Sequence, residues 1–330
     1  MQGTGKSGEL GLGKDVVSPT ELKEITGMPP LKQVVSGKYF ATALTKDGQV
    51  FAWGDGGSFF NPLSLGIGSK RGLITTPTPV EIPTPVASLA AGDEHVIALD
   101  KDGLVWAWGN GEFGRLGLGS SASAYSPQLI ESLADYKTKI VRTGSSFSLA
   151  VTEAGVFSWG KNDAGQLGTK PESFMMDMYS MEALPSYMPF KQNEEVDGAE
   201  GIIPDLVECF GRRGFAYASS NHSLYRWGQK TWMVPQCYQV LDATTTVSKV
   251  AVAAGKRNFY LTNEQHIHFV QTRGIADPRR LVLPGNIVDI FSGHSLGVVA
   301  KVPEELVSTL PEHHTVEGAP APGKIMRGDN

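Results

Sequence analysis

A Trp-Gly dipeptide recurs at residues 53, 108, 159 and 227 of this chain, and this repetition constrains the fold more than any other feature. Glycines at residues 37, 92, 144 and 211 precede the four dipeptides at a nearly constant distance. Between glycine and tryptophan lie an apolar run, a short polar turn and a second apolar run, as in GDEHVIALDKDGLVWAWG. This pattern is typical of a β-hairpin. The sequence therefore predicts several copies of one hairpin-based unit.

A second shared segment has the pattern Gly-x-Leu-Gly. It reads GELGLG at residues 8–13, GRLGLG at 114–119 and GQLG at 165–168. With this segment, each unit supplies about four short strands and cannot bury both of its faces alone, so several units must pack around an axis. Four-stranded antiparallel blades packed in this way form a β-propeller, and we predict an all-β chain of this class.

Two later copies have lost part of the pattern. Gly255 opens a unit in which Val270 takes the place of the tryptophan, and Gly293 opens a first strand with no hairpin partner after it. Six opening glycines predict six blades, with seven as the alternative if one unit has lost its markers. The chain begins in the middle of a unit and ends near the start of one. We therefore expect the ring to close by pairing of the N- and C-terminal segments, which removes exposed strand edges.

The repeats also divide the chain into regions. They place the propeller in residues 1–301, with an insertion at about 169–205, and set apart a Pro/Gly-rich C-terminal tail at 302–330. Each tryptophan occupies the same strand position in its unit, so we interpret these side chains as packing between blades and not as a ligand platform. The positions that define the blades are Gly37, Trp53, Gly92, Trp108, Gly144, Trp159, Gly211, Trp227, Gly255 and Gly293.

The second unit resembles the regulator of chromosome condensation repeat. Its matching residues are Gly92, His95, Ala98-Leu99, Gly103, Trp108-Gly109 and Gly114-Arg115-Leu116-Gly117. The resemblance is strong over residues 1–168 and weaker over 205–301, and it implies a β-propeller. Propellers of this type include a nucleotide exchange factor for a small nuclear GTPase, a plant ultraviolet photoreceptor, ligase-associated modules and mitochondrial assembly factors. Because one fold carries these different functions, function has to be argued from particular sites.

Two specialised activities of this family can be checked against the residues. Gly92-Asp93-Glu94-His95 matches the Gly-Asp-x-His of the exchange factor, but Ser145-Ser146 and Arg212-Arg213 stand where its other acidic and histidine positions would lie. The Gly-Trp-Arg-His-Thr motif of the photoreceptor is absent. We therefore predict a non-enzymatic scaffold that binds protein partners as a subunit or assembly factor of a large complex. The alternative is a guanine nucleotide exchange factor or effector of a small GTPase.

Charge and the remaining motifs argue against other classes of function. A net charge of −5 disfavours nucleic-acid binding beyond local phosphate contacts. Residues 3–7, Gly-Thr-Gly-Lys-Ser, lack the preceding strand and following helix that a phosphate-binding loop needs. Histidines and cysteines show no metal-ligand spacing, so we expect no metal, cofactor or small-molecule substrate. No apolar run has the roughly 18 residues of a membrane span. With no visible targeting signal, we expect an intracellular protein, in cytoplasm, nucleus or mitochondrion.

Two regions are candidates for partner contact. The first consists of the turns after the opening glycines, which radial symmetry collects at one mouth of the propeller. These turns are rich in Lys and Arg, so we expect them to dock an acidic protein segment or a phosphate, mainly through Arg212, Arg213, Lys256 and Arg257. The candidate contacts in the turns are Lys38, Tyr39, Asp93, Glu94, His95, Arg212, Arg213, Lys256, Arg257 and His294.

The second candidate region is the insertion, which is rich in methionine. Flexible, polarisable methionine side chains adapt to different partners, so we expect Met176, Met178 and Met181 to contact a partner protein. The alternative is that the insertion packs on itself as a cap over one blade edge.

Overall fold

A computed structural model describes residues 8–14, 24–57, 65–68, 72–169, 180–191, 201–253, 257–271, 279–281, 286–291, 297–301 and 323–327. These residues form β-strands joined by turns and short 3₁₀ segments at Glu112–Gly114, Glu131–Leu133 and Ser219–Asn221. The chain divides into two compact units. The first comprises residues 1–190 and 228–235, and the second comprises residues 191–227 and 236–330.

The first unit contains three four-stranded sheets, and in each of them the strands that neighbour one another in the chain pair with one another. The first sheet consists of β1 (Leu31–Ser36), β2 (Phe40–Thr45), β3 (Val50–Asp55) and β4 (Leu73–Val80). The second consists of β5 (Val86–Ala91), β6 (His95–Asp100), β7 (Val105–Gly109) and β8 (Ala124–Leu129). The third consists of β9 (Thr138–Thr143), β10 (Phe147–Thr152), β11 (Gly155–Lys161) and β12 (Met181–Met188).

Three further sheets follow along the chain, mostly within the second unit. The fourth sheet consists of β13 (Leu206–Phe210), β14 (Arg213–Ala218), β15 (Ser223–Gly228) and β16 (Trp232–Val240). The fifth consists of β17 (Val247–Ala253), β18 (Arg257–Thr262), β19 (Ile267–Gln271) and β20 (Arg279–Leu281). The sixth consists of β21 (Asn286–Phe291), β22 (Gly297–Lys301) and β23 (Gly323–Arg327).

The prediction of an all-β chain built from four-stranded antiparallel blades is confirmed, and the described residues form six sheets where six blades were expected. The sixth sheet differs from the expectation. Its third strand is β23, from the segment that was set apart as a tail, and it takes the place beside β22 that was assigned to the N-terminal segment. The described N-terminal residues 8–13 instead lie against the first sheet, because they complete the packing of Trp53.

The third repeat also differs from the expectation. Residues 181–188, which the sequence placed in an insertion, form β12, the outermost strand of the third sheet. Half of the residues of strand β12 are exposed, and the strand has a register irregularity opposite residues 158–160. It therefore lacks the regular alternation that marks a half-buried strand.

The core of the first unit lies between neighbouring sheets. Every residue of β2, β6 and β10 is buried, because these strands are covered on both faces. Trp53, Trp108 and Trp159 have no exposed surface, and in the second unit Trp227 is 1% exposed. The interpretation of the repeated tryptophans as packing residues is therefore confirmed.

Candidate functional site

The Gly-x-Leu-Gly segments at residues 8–13 and 114–119, and a related segment at 65–68, pack against tryptophans of the first unit. A Cβ atom built on Gly66 would lie 2.7 Å from Nε1 of Trp108, so the glycine backbone lies directly against the indole. The backbone at Gly66 also has a positive φ of 79°, which glycine adopts without strain. Equivalent approaches join Gly11 to Trp53 and Gly117 to Trp159.

In each of these segments a second glycine, two positions later, donates a backbone hydrogen bond to the outermost strand of a sheet. The three hydrogen bonds, each 2.9 Å long, run from Gly13 N–H to Thr75 O, from Gly68 N–H to Tyr125 O and from Gly119 N–H to Ala183 O. The copy at residues 65–68 was missed by the sequence analysis, because Leu63 stands where the other copies begin with glycine. The Leu-Gly-x-Gly core that it shares with the copies at residues 8–13 and 114–119 was the signal for finding it.

The turns that begin β2, β6 and β10 lie side by side in the first unit. We call residues 38–39, 93–94 and 145–146 the opening turns. The N–H of Lys38 donates to the carbonyl of Asp93 at 2.8 Å, and the N–H of Asp93 donates to the carbonyl of Ser145 at 3.1 Å. Each opening turn is thereby bonded to the next along the chain.

Charged side chains of the opening turns are partly used within the protein. Lys38 and Asp93 are exposed, and the Lys38 ammonium lies 4.9 Å from the ring centre of Tyr39. Glu94 is engaged by Arg115, whose guanidinium is 3.3 Å from the Glu94 carboxylate and only 3% exposed. A second carboxylate, from Glu112, lies 3.5 Å from the same guanidinium. Lys38 and Asp93 are therefore the charged side chains of these three turns that are exposed, whereas Glu94 pairs with Arg115.

His95 was expected to contact a partner, and the structure contradicts this. The side chain has no exposed surface, and its Nε2 lies 2.9 Å from the hydroxyl oxygen of Ser148 in the next repeat. Ser148 donates its own proton to the carbonyl of Arg115 at 2.9 Å, so His95 is the donor in the first bond. Burial, assisted by the nearby Arg115 charge, lowers the pKa of His95 to about 3. His95 is therefore a neutral link between repeats.

We expect this histidine to make the first unit less stable as the pH falls. In the unfolded chain His95 binds a proton below about pH 6.5, whereas the folded protein holds it neutral down to about pH 3. Between pH 7.5 and pH 5 the wild type should lose about 2 kcal/mol of unfolding free energy through this group. A His95→Gln variant, which can still donate to Ser148, should lose less. Urea denaturation of both proteins at the two pH values measures the difference, and equal losses would contradict the assignment.

The fourth repeat places its arginines differently from the expectation. Phe210 pairs with Arg213 across β13 and β14, so Gly211-Arg212 is a two-residue turn, and Gly211 lies inside it. Arg213 then occupies the register position of His95. It is 4% exposed, and its Nη2 donates to the carbonyl of Ala253. Arg212 is exposed.

Six of the predicted residues lie outside the described residues: Gly255, Gly293, Lys256, His294, Met176 and Met178. The backbone of Arg257 begins β18, and its side chain is not among those described. The opening Gly37, Gly92 and Gly144 lie where predicted, immediately before the opening turns.

Met181 is 42% exposed and is joined on β12 by Leu184, 52% exposed, and Tyr187, 43% exposed. The Tyr187 ring lies 6.0 Å from that of Phe157, edge to face, and Phe157 lies 5.1 Å from Tyr136, which is itself exposed. We call Tyr136, Met181, Leu184 and Tyr187 the outer-strand patch. Exposed aromatic and methionine side chains in one region are typical of protein-binding surfaces.

The described residues contain neither a candidate metal-binding cluster nor a candidate membrane-spanning helix. No cluster of three or more His, Cys, Asp or Glu side chains there has an arrangement that could hold a metal ion. No helix in the same part of the chain is long and apolar enough to cross a membrane.

The repeat pattern can be compared with known families. A family model described as "Regulator of chromosome condensation (RCC1) repeat" matches residues 47–99 and 102–151, and a second model with the same description matches residues 31–59 and 86–115. Residues 31–151 therefore carry RCC1 repeats, and the chain has an RCC1-like β-propeller fold. Human E3 ubiquitin-protein ligase HERC2 is 35% identical to it over 198 residues, which are 55% of this chain. The chain spans only 4% of the length of that ligase.

Solved structures agree with this fold. The crystal structure of human WBSCR16 superposes on the RCC1-repeat propeller with a TM-score of 0.71 at 21% sequence identity, covering 91% of this chain and 80% of that one. Yeast Prp20p, from Saccharomyces cerevisiae, whose structure was described together with its binding to Gsp1p and histones, gives a TM-score of 0.64 at 18% identity. It covers 84% of this chain and 70% of that one. At such identities the likeness concerns the fold alone.

Proposed function

We propose that this RCC1-repeat propeller is a non-enzymatic scaffold that binds a partner protein, as a subunit or assembly factor of a larger complex. The observation that carries the proposal is the outer-strand patch. Its apolar side chains are exposed, although the interior of the same sheet is fully buried. Burying such side chains against a partner is favourable, at roughly 25 cal/mol per Å² of apolar surface.

The side-chain types of the patch suit a protein partner. Aromatic anchors usually carry most of the binding energy at an interface, and Tyr136 and Tyr187 present partly exposed rings that are held in place by Phe157. Leu184 and Met181 add flexible apolar surface along the same strand. The partner surface should therefore be apolar and of a size to cover the outer face of β12.

A Leu184→Ser, Tyr187→Ser double variant should bind its partner at least about tenfold more weakly, since each lost anchor costs about 1 kcal/mol or more. Its stability should change little because both side chains are exposed. Partners are first identified by affinity purification and mass spectrometry with the wild type, and binding of the purified partner is then titrated.

The matched control is Leu73→Ser. Leu73 is 51% exposed and begins β4, the outermost strand of the first sheet, so it tests whether any exposed apolar residue matters. The outer-strand patch would not be the docking surface if the double variant bound the partner fully and charge reversal of Lys38 and Asp93 abolished binding. The opening turns would then be the docking surface.

The alternative function is guanine nucleotide exchange on a small GTPase. Here His95, which completes the Gly-Asp-x-His pattern, is buried between repeats, so this position offers no contact to a GTPase. A nucleotide-release assay with a panel of small GTPases separates the two functions. Stimulated release would overturn the scaffold proposal.

A further inference from the structure

A buried arginine in the fourth repeat stands where the first unit has neutral side chains. The register position after the opening turn is occupied by Phe40, His95 and Phe147 in the first three repeats, and all three are buried. In the fourth repeat the same position is Arg213, which is also buried, at 4% exposure. A positive charge has therefore replaced a neutral packing residue.

Within the described residues, Arg213 leaves one of its two terminal guanidinium nitrogens without a hydrogen bond. A guanidinium carries five N–H donors. Nη2 donates to the carbonyl of Ala253, whereas the buried Nη1 has no hydrogen-bond partner in the part of the chain that the structure describes. Burial lowers the pKa of Arg213 to about 10, so the group is still charged at pH 7. Among the described residues, no carboxylate contributes to this lowering of the pKa.

A buried cation of this kind is costly unless an anion neutralises it. The first unit shows how the chain treats another buried arginine: Arg115 has the carboxylates of Glu94 and Glu112 at 3.3 Å and 3.5 Å. Arg213 has a carbonyl oxygen in the corresponding role. The charge on Arg213 is thus explained if an oxyanion from outside the chain pairs with it.

Further positive charge lies beside Arg213 in the chain. Arg212 is exposed in the adjoining turn. A Cβ atom built on Gly211 would meet no atom of the described residues within 4 Å. The backbone register places Arg257 directly opposite Ala253, the residue that accepts from Arg213.

We propose that the Gly211-Arg212 turn and the buried Arg213 form an oxyanion site that takes a phosphate or carboxylate group. The planar fork of a guanidinium matches both anions with two parallel hydrogen bonds. Attraction by the net charge of the protein does not account for such binding, because the chain carries −5 overall. The site is separate from the outer-strand patch, so it can fail without affecting the proposed function.

The test measures anion binding to the full chain at constant ionic strength. Inorganic phosphate, acetate and chloride are compared by thermal unfolding and by isothermal titration calorimetry. A ligand at about ten times its Kd should raise the Tm of the wild type by about 2–4 °C relative to chloride. A stronger effect of phosphate assigns the site to phosphate groups, and an equal or stronger effect of acetate assigns it to carboxylates. Equal unfolding temperatures in all three salts, with no heat of binding, would overturn the proposal.

Variants locate the site. Arg213→Gln keeps a donor for Ala253 but removes the charge, and it should weaken anion binding at least tenfold. Arg226→Gln removes another partly buried arginine of the second unit and should bind as the wild type does. If Arg213→Gln does not fold, Arg213→Lys and the exposed Arg212→Gln replace it, and both should bind severalfold more weakly. Wild-type affinity in Arg213→Gln, or in both replacement variants, would place the anion elsewhere and refute the assignment.

Discussion

A Trp108→Ala variant is expected to lose about 3–5 kcal/mol of unfolding free energy in the first unit. Trp108 has no exposed surface, and it packs in the core cluster with Leu65, Val96 and Leu116. Removing the indole leaves a cavity that the close-packed sheets can fill only in part. Urea denaturation followed by circular dichroism measures the loss.

The control for this variant is Tyr125→Ala. Tyr125 is a large aromatic residue in the outermost strand of the same sheet, but it is 37% exposed, and its loss should cost less than about 1 kcal/mol. Similar losses for the two variants would show that the repeated tryptophan has no special packing role.

A Gly66→Ala variant is also expected to lose a large part of the unfolding free energy of the first unit. The added methyl group would lie 2.7 Å from the Trp108 indole nitrogen, so the indole or the segment must shift. The substitution also places a Cβ on a residue with φ of 79°. Strain of the left-handed backbone and overpacking together should cost about 2–5 kcal/mol.

Gly68→Ala separates these two causes. Gly68 lies in the same segment with φ of 76°, but a Cβ there would meet nothing within 4 Å of the described residues. Only the backbone cost should remain, about 1 kcal/mol. The difference between the unfolding free energies of the two variants is thus the cost of the contact with Trp108. Equal unfolding free energies would contradict the close approach of Gly66 to Trp108.

Much of the blade organisation was predictable because its steric requirements recur in the sequence. Gly11, Gly66 and Gly117 each lie against an indole, where no larger residue fits, and this leaves glycine and tryptophan at related positions in each unit. The copy at Gly66 escaped detection because its first glycine is absent. The outer strand β12 escaped because its exposed side chains do not alternate with buried ones.

The candidate contacts were predictable only in part. Lys38, Asp93 and Arg212 are exposed as expected of turn residues, whereas His95 and Arg213 are buried. Both buried residues occupy the first position of a second strand, immediately after the turn. A polar residue at the boundary between turn and strand is exposed or buried according to the register of the hairpin, and a shift of one residue reverses the outcome.

By itself, the sequence determined the repeat unit, the all-β class and the packing role of the tryptophans, because these follow from steric and burial patterns that recur along the chain. Tertiary structure alone decided which charges are buried and what compensates them. Arg115 meets two carboxylates, and Arg213 meets a carbonyl. Glu112 is three residues from Arg115, but Glu94 and Ala253 lie 21 and 40 residues from the arginines that they contact. The Coulomb interaction between two groups depends on their distance and burial in space, which no local pattern records.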